Sequence, residues 1–344
     1  MLSELIQIRT SDRWILFSNK PIHPYFSNLV ENKNVSVSIY SGLLYRPGPL
    51  WVQLKLISEL KNHKCDLLWA TLAMLPAFYK RRTDIPAIVN FHDLNAFSAP
   101  RTMVFWNRLQ HRLLDGQSIK NAHTVICLSR TTSEDIQKNF PEIKKNKLKV
   151  IYPGCELPVT KPKVPRQLQK IKNFILSVGT IEPRKNQRTM IEAYLSAREK
   201  TKLPHLILAG KKGWGEENLY QTLKSGSLET KGIIYLENPS MEELSYCYKQ
   251  ALFCMLPSIH EGFGLPVLEA LGYGKQSIVS DIPIFREICK KCIFVEPLDI
   301  EAWSRKMIEI SSKKIQRPFP FDHKLWSWER RAVFLSEVFN TVLS

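Results

Sequence analysis

Short apolar runs alternate with amphipathic segments from about residue 170 onward. The runs are four or five residues long and rich in β-branched side chains, which is typical of strands buried in a parallel sheet. The segments 187–195 and 241–248 instead repeat apolar residues at helical spacing. The second half is therefore predicted to be a doubly wound α/β domain. Its predicted strands are Phe174–Val178, His205–Ala209, Ile233–Leu236, Leu252–Leu256, Ser277–Ser280 and Cys292–Val295.

The first half repeats this alternation less regularly. A stretch rich in proline and lysine, 157–165, separates the two halves. We expect a first Rossmann-like domain over 1–157, a linker over 158–172, a second over 173–320, and a helical segment, 321–344, that packs back across the domains. The predicted strands of the first half are Trp14–Phe17, Val35–Ile39, Asp66–Trp69, Ala87–Phe91, Thr124–Leu128 and Lys149–Ile151.

Composition excludes several classes of protein. With 344 residues and 44% hydrophobic content, the chain is long enough for two packed domains, and disorder is not expected. The apolar run 67–79 is shorter than the roughly 18 residues of a spanning helix, and Pro76 interrupts it. The first seven residues lack the basic start of a signal peptide. We therefore expect no transmembrane segment and a cytoplasmic protein.

Seven cysteines are scattered along the chain, an odd number that favours reduced thiols over a disulfide framework. Cys289 and Cys292 have the spacing of metal ligands. No second pair of this kind accompanies them, so buried or incidental cysteines are the favoured interpretation over zinc or redox chemistry.

The net charge of +17 implies an anionic partner, and residues 1–165 carry +11 of it. Nucleic acid, an anionic membrane surface and the phosphates of a small ligand are the alternatives. No nucleic-acid-binding module is recognisable, so nucleic acid is not expected. The segment Arg101–Leu114 repeats apolar residues at helical spacing beside three arginines. This pattern is typical both of a helix at a membrane interface and of an ordinary amphipathic helix.

Candidate chemistry lies after the strand 252–256. Gly262 and Gly264 allow a tight turn, and Pro266 suits the first turn of a helix, so several backbone N–H groups would face a bound phosphate. Glu261 and Glu269 flank this turn. Carboxylates only accept hydrogen bonds, and they suit the hydroxyl groups of sugars better than a phosphate. A nucleotide sugar has both. The alternative is that Glu261 caps the helix and Glu269 is solvated.

The segment 177–186 supplies cations. It ends a predicted strand with a glycine turn and then places Arg184 and Lys185 before the next helix. Adjacent cations at the carboxyl end of a strand can neutralise a diphosphate leaving group. The chain has no Asp-x-Asp sequence, so we expect no metal-held diphosphate.

These residues resemble the retaining glycosyltransferases of family 4, which belong to the glycosyl transferases group 1. The resemblance covers most of 174–300 and rests on Glu261 and Glu269, with seven residues between them, and on the segment 179–186. It implies a GT-B fold, in which two Rossmann-like doubly wound domains face a cleft, and a nucleotide-sugar donor linked to UDP or GDP, with no other cofactor. The chain begins with a helical pattern where the family has a first strand, so the first domain is expected to lack that strand.

The resemblance also implies roles for single residues. Glu261 would bind hydroxyl groups of the transferred sugar, Glu269 the ribose, and Arg184 with Lys185 the diphosphate. His92, in the segment 90–94, would lie near the transferred sugar; the alternative is an ordinary histidine at a strand end. The backbone positions expected near the donor are Gly179, Gly210, Gly262, Phe263, Gly264 and Leu265.

The sequence thus predicts a retaining, metal-independent transferase that moves a hexose to a glycan or lipid-linked acceptor in cell-surface polysaccharide synthesis, such as that of lipopolysaccharide. Contact with the inner face of the plasma membrane is the expected use of the basic first half. Two alternatives remain: another nucleotide-sugar enzyme, such as an epimerase, and a shortened, non-catalytic homologue that binds sugar nucleotides or a partner transferase.

Overall fold

A computed structural model describes residues 1–40, 48–157, 161–312 and 321–344. The chain divides into two compact units. The first contains Met1–Leu94, Leu109–Gly154 and Trp326–Ser344, and the second contains Asn95–Arg108 and Cys155–Leu325. Residues 158–160 of the predicted linker and 313–320 of the predicted second domain lie outside the described residues.

The strands follow the apolar runs closely. The strands are β1 Trp14–Ser18, β2 Val35–Ile39, β3 Leu68–Ala70, β4 Ala87–Phe91, β5 Thr124–Cys127, β6 Leu148–Val150, β7 Phe174–Val178, β8 Leu206–Gly210, β9 Ile233–Glu237, β10 Ala251–Leu256, β11 Gln276–Ser280 and β12 Ile293–Val295. The helices are α1 Leu2–Ile8, α2 Ser27–Val30, α3 Gly48–Leu54, α4 Leu56–Asn62, α5 Tyr79–Arg82, α6 Asn95–Ser98, α7 Phe105–Asn121, α8 Arg130–Asn139, α9 Gln187–Lys200, α10 Glu217–Lys224, α11 Met241–Gln250, α12 Leu265–Gly272, α13 Pro283–Ile288, α14 Ile300–Ser312 and α15 Trp328–Leu343.

The first unit is built on parallel strands. A four-stranded sheet has the order β3-β4-β5-β6, and β1 pairs with β2 in a separate parallel pair. Every residue of β4 is buried, which explains why Asn90 is the one polar residue in Ala87–Phe91.

The carboxyl-terminal helix α15 belongs to this first unit. Its buried residues Ala332, Leu335 and Phe339 form one hydrophobic cluster with Leu5 of α1 and with β4 and β5. Arg9 adds a polar contact, since its Nη1 donates a hydrogen bond to Asn340 Oδ1 at 2.6 Å. The first unit therefore contains both the first and the last helix of the described chain.

The second unit is a six-stranded parallel sheet with the order β12-β11-β10-β7-β8-β9. The chain runs outward from β7 through β8 to β9, then returns to place β10 on the other side of β7. β7 and β10 therefore flank a topological switch point, where sheets of this kind bind ligands beyond their carboxyl ends. Helices α9 and α14 cover this sheet, with Met190, Tyr194 and Trp303 in its core.

Two expectations about single segments change. Cys289 and Cys292 form a disulfide between α13 and β12, while the other five cysteines carry no bridge. The segment expected to be helical from residue 101 begins with a 3-10 turn, Pro100–Thr102, and α7 starts only at Phe105.

Within the described ranges, no helix combines the length and apolar character needed to cross a bilayer.

Candidate active site

The loops after β7 and β10 meet at the switch point of the second unit. A 3-10 turn, Pro183–Lys185, follows β7, and the Ile259 N–H donates to the Arg184 carbonyl at 2.9 Å. Asn186 adopts a left-handed conformation (φ 54°), and its Nδ2 donates to the carbonyl oxygens of Pro257 and Pro297 at 3.0 and 2.8 Å. These bonds fix the cation-bearing turn against the glutamate loop.

Glu261 is the centre of the site and is almost completely buried. Its Oε2 accepts a hydrogen bond from Arg184 Nη1 at 2.5 Å, and its Oε1 accepts one from Lys185 Nζ at 2.5 Å. Ser258 Oγ donates to the same Oε1 at 2.8 Å. The structure thus brings the predicted pair Arg184 and Lys185 into contact with Glu261, which lies 77 and 76 positions away in the sequence. A buried carboxylate needs such partners because desolvation without them is very costly.

Glu182 is a site residue that the sequence analysis missed. It is 2% exposed, and its Oε1 accepts a hydrogen bond from Arg184 Nη2 at 2.7 Å. Arg184 therefore contacts two carboxylates, Glu261 through Nη1 and Glu182 through Nη2. The neighbouring Pro183, Arg184 and Lys185 gave a signal for this turn, but nothing in the sequence singled out the preceding glutamate.

The two carboxylates differ in their electrostatics. Burial raises the pKa of Glu261, but the charges of Lys185 and Arg184, together with the hydrogen bonds from Lys185 and Ser258, leave that pKa below its usual value. Burial dominates for Glu182 and leaves its pKa raised, although Arg184 and Lys185 act in the opposite direction. Glu261 therefore carries the negative charge of this cluster more readily than Glu182.

Helix α12 begins at the same site. Gly264 is its N-cap, with φ +92°, and a Cβ there would lie 2.6 Å from the ring of Phe285 on α13. Both the left-handed backbone and this contact require glycine. Leu265 is the first helical residue, so its N–H has no acceptor within the helix, while Pro266 has no N–H to satisfy. Gly262 and Phe263, both buried, form the approach to this helix end.

Two of the predicted glycines allow neighbouring strands to end close together. A Cβ on Gly210, at the end of β8, would lie 2.0 Å from the carbonyl oxygen of Gly179, which follows β7. A Cβ on Gly179 would lie 3.4 Å from the side chain of Lys185. Gly210 therefore permits the close approach of the two strand ends, and Gly179 lies beside the Lys185 side chain.

Glu269 lies one turn inside α12 and is half-buried. Its Oε2 accepts a hydrogen bond from the hydroxyl of Tyr248 at 2.6 Å, and the Tyr248 ring stacks on Tyr273 with centroids 5.1 Å apart. The pKa of Glu269 is raised, because burial outweighs the Tyr248 hydroxyl and the charge of Lys185, which both lower it. Lys185 thus acts on both glutamates. Tyr248 was not predicted, because no local pattern links it to a residue 21 positions away.

His92 lies in the first unit, directly after β4. Its Nε2 contacts the carbonyl oxygen of Thr71 at 3.0 Å. Because a carbonyl only accepts, Nε2 carries a proton there, and Nδ1 is the ring atom left for another partner. His92 is exposed, so its ring is accessible to a ligand.

The sequence analysis did not single out His111, a second histidine of the first unit that contacts a buried carboxylate. His111 Nδ1 contacts the Oδ1 atom of Asp115 at 3.1 Å, and the Asp115 side chain is almost completely buried. The hydrogen bond to Asp115 raises the pKa of His111, and the charge of Asp93 acts in the same direction. The spacing of four residues within α7 was the available sequence signal.

Among the described residues, no group of three or more His, Cys, Asp or Glu side chains could hold a metal ion.

The second unit is thus a Rossmann-like α/β domain. A cation pair, two glutamates and a helix amino terminus meet at its switch point, an arrangement that suits the binding of a phosphorylated ligand. Two family models match the chain. Residues 15–157 match Glycosyltransferase Family 4, and residues 160–319 match Glycosyl transferases group 1. The chain belongs to the group 1 glycosyl transferases of the family 4 type, which confirms the resemblance seen in the sequence.

Known relatives point the same way. O-antigen chain mannosyltransferase B of Escherichia coli is 31% identical over 68% of this chain, and the match covers 63% of that relative, less than two thirds. O-antigen chain mannosyltransferase RfbU of Salmonella typhimurium is 27% identical over 80% of this chain and 72% of its own length. The chain thus matches only part of each of these relatives.

A solved structure agrees with the fold. HepE of Anabaena, determined with UDP and glucose, has a TM-score of 0.69 and 16% identity, and the similarity covers 99% of this chain and 95% of HepE. At this identity the likeness concerns the fold alone. It confirms the predicted GT-B fold class with two Rossmann-like domains.

Proposed function

We propose that this protein is a retaining, metal-independent glycosyltransferase that moves a hexose from a nucleotide sugar to a glycan or lipid-linked acceptor of lipopolysaccharide-type polysaccharide. The observation that carries this proposal is the contact of Arg184 and Lys185 with Glu261 at the switch point. It combines cations for a diphosphate with a carboxylate for sugar hydroxyl groups in one place.

The contacts suggest how the donor is received. A diphosphate brings negative charge to Arg184 and Lys185 and competes with Glu261 for their N–H groups. Glu182 keeps one edge of the Arg184 guanidinium occupied, so Arg184 stays oriented during this exchange. Glu261 is then released to accept hydrogen bonds from the sugar. The same cations and the amino terminus of α12 stabilise the charge of the departing diphosphate, the role that a metal has in other transferases.

Two further residues complete the proposed donor site. Glu269 accepts hydrogen bonds from the ribose, and Tyr248 fixes the direction of its carboxylate. We assign His92 to the transferred sugar on the basis of the family resemblance. Because the two relatives are named mannosyltransferases of O-antigen chains, nucleotide-linked mannose is the first donor to test.

The chain is proposed to work at the surface of an anionic membrane, inside the cell. At the start of α7, Phe105 and Trp106 are 56% and 72% exposed. Arg101 and Arg108 accompany them. Exposed aromatic rings beside arginines suit the boundary between lipid headgroups and acyl chains.

The decisive experiment measures release of free nucleotide from GDP- and UDP-hexoses, with and without a chelator, in the presence of lipid-linked glycans. We expect one donor to be turned over equally in both conditions and the Glu261→Gln variant to lose this turnover. Arg188→Ala is the control. Arg188 lies in the first turn of α9, close in sequence to Arg184 and Lys185, but it forms an exposed ion pair with Glu216. A donor that binds to the wild-type protein but is never turned over would instead establish a non-catalytic homologue.

The membrane contact has a separate test. Wild-type protein should sediment with vesicles that contain phosphatidylglycerol, and the variant Phe105→Ser with Trp106→Ser should remain largely in the supernatant. Leu298→Ser removes an apolar side chain that is 64% exposed elsewhere and serves as the control. Equal sedimentation of all three proteins would exclude α7 as the contact.

A further inference from the structure

A cavity of about 490 Å³ opens in the first unit, away from every residue assigned above. It lies at the amino-terminal edge of the four-stranded sheet, because His123 directly precedes β5 and Lys147 directly precedes β6. The lining residues are Lys80, Lys120, Ala122, His123, Glu142, Ile143, Lys144, Asn146 and Lys147. We call this cavity the lysine pocket.

Three separate parts of the chain supply its basic residues. Lys80 lies on α5, Lys120 near the end of α7, His123 before β5, and Lys144 with Lys147 at the turn before β6. Residues so far apart in sequence converge here only because the fold brings their elements together. The lysine pocket is therefore a feature of the folded unit and not of one basic segment.

Positive charge exceeds negative charge in this pocket. Four lysines line it, and Glu142 is the one acidic residue among the lining side chains. Glu142 contacts Lys120 Nζ at 2.9 Å, and both side chains are at least half exposed. Lys147 Nζ donates to the carbonyl oxygen of Lys120 at 2.9 Å, which caps the end of α7. Glu142 therefore offsets about one of the four ammonium charges.

The titration of two residues agrees with this excess. Burial and the charge of Lys80 lower the pKa of Lys147 to about 8. Burial also lowers the pKa of His123, and Lys80 and Lys147 act in the same direction. Burial is the larger cause of both shifts, and repulsion from the neighbouring lysines adds to it.

The lysine pocket is distinct from the edge of the sheet where His92 lies. His92 follows the carboxyl end of β4, whereas the His123 N–H donates to the carbonyl of Ala87 at the amino end of β4. Five residues of extended chain separate these edges by about 16 Å. A ligand of the lysine pocket would therefore not occupy the position of the transferred sugar near His92.

We propose that the lysine pocket binds a phosphate group, carried either by a free phosphate compound or by the headgroup of an anionic phospholipid. A phosphate offers several strong acceptor oxygens to lysine ammonium groups, and its charge offsets their repulsion. The cavity is large enough for a phosphate with its substituent. This proposal does not depend on transferase activity.

The test uses the variant Lys80→Ala with Lys144→Ala, which removes two exposed ammonium groups and leaves the Lys147 cap of α7 in place. Lys170→Ala with Lys172→Ala is the matched control, since both are exposed lysines of the second unit. All proteins also carry Arg184→Ala and Lys185→Ala, so that pyrophosphate cannot bind to the donor cations. The full-length folded proteins are compared by thermal melting before use.

Two probes distinguish the sources of the phosphate. Calorimetric titration with pyrophosphate should show binding that is about tenfold weaker in the pocket variant and unchanged in the control. Vesicles of phosphatidylglycerol test the lipid source, with α7 intact in every protein. Loss of pyrophosphate binding identifies a free phosphate compound, and loss of vesicle binding alone identifies a headgroup. Equal binding of pocket variant and control to both probes would overturn the proposal.

Discussion

The chain contains two clusters of cations that differ in how their charge is offset. At the switch point of the second unit, Arg184 and Lys185 contact two buried carboxylates, Glu261 and Glu182. In the lysine pocket of the first unit, four lysines face one exposed glutamate. Both clusters suit phosphate, but for different reasons.

The difference concerns geometry and selectivity. A cation held between carboxylates has a fixed direction before a ligand arrives, so it can favour one arrangement of charge in a transition state. Lysines that repel one another gain from any phosphate that enters, with little selectivity for the rest of the ligand. The first arrangement suits catalysis, and the second suits anchoring or sensing.

The largest effect on activity should come from removing Arg184 and Lys185, the cations that contact buried carboxylates. We expect the variant Arg184→Ala with Lys185→Ala to lose at least about 10³-fold in nucleotide release, because each donor to a developing charge contributes about 10²-fold or more. The measurement is release of nucleotide under saturating donor, beside Arg188→Ala. Since Glu261 then remains buried without its cations, the melting temperature must be recorded as well. Retained turnover in a folded variant would remove the distinction between the two clusters.

A smaller effect is expected at the strand ends that position these cations. Gly210→Ala places a Cβ 2.0 Å from the carbonyl of Gly179, so the loops must separate. We expect the free energy of unfolding to fall by about 2–3 kcal/mol, measured in urea. Gly48→Ala is the control, since a Cβ there would approach the side chain of Asn19 only to 3.9 Å. If both variants are equally stable, this close approach has no structural role.

The third prediction tests the orientation of Glu269. Tyr248→Phe removes the hydrogen bond to Glu269 but preserves the ring that stacks on Tyr273. We expect the KM for the donor to rise about tenfold with a smaller change in kcat, because the loss of one hydrogen bond to a charged group costs about 1.5 kcal/mol. Tyr273→Phe removes only a bond to Ser245 and should leave KM unchanged. A change in kcat alone would place Glu269 in the chemical step.

The smallest effect concerns the lysine pocket. The pKa of Lys147 in the folded protein is about 8, below its ordinary value of 10.5. Between these values the unfolded chain holds a proton that the folded chain has lost, so the free energy of unfolding rises with pH. Solvent screening at this half-buried site limits the gain to about 1 kcal/mol.

The variant Lys147→Met should lack this rise between pH 8 and 10, as measured by urea unfolding beside the wild-type protein. Bound phosphate should also reduce the rise, because an anion favours the protonated lysine. The same slope in both proteins would show that the charge of Lys147 is already offset.

Much of the fold could be predicted because buried parallel strands have an unambiguous pattern. Ala87–Phe91 and Phe174–Val178 are apolar at nearly every position, and both form strands at those bounds. The segment 101–114 was less clear. Pro100 begins a 3-10 turn, so α7 starts at Phe105, and the apolar residues Phe105 and Leu113 are exposed instead of packed in a core.

The candidate site could be predicted only where its residues form a local motif. Arg184, Lys185, Glu261 and Glu269 belong to short segments with glycine or proline beside them. Glu182 and Tyr248 could not be identified in this way, because their roles arise from contacts between elements that are distant in sequence. The lysine pocket was missed for the same reason. The composition showed only that the first half of the chain carries excess positive charge, not where its lysines converge.

The two units are interleaved along the chain, and this has a practical consequence for building chimaeras. Because α15 packs with α1 and β4, the first unit is completed only by residues that follow the whole of the second. The second unit, Asn95–Arg108 together with Cys155–Leu325, can therefore be treated as a cassette of two segments within the first unit. An exchange of donor-binding regions between relatives should replace this cassette and retain the native α15, whereas a single crossover near residue 155 would pair α1 with a foreign partner.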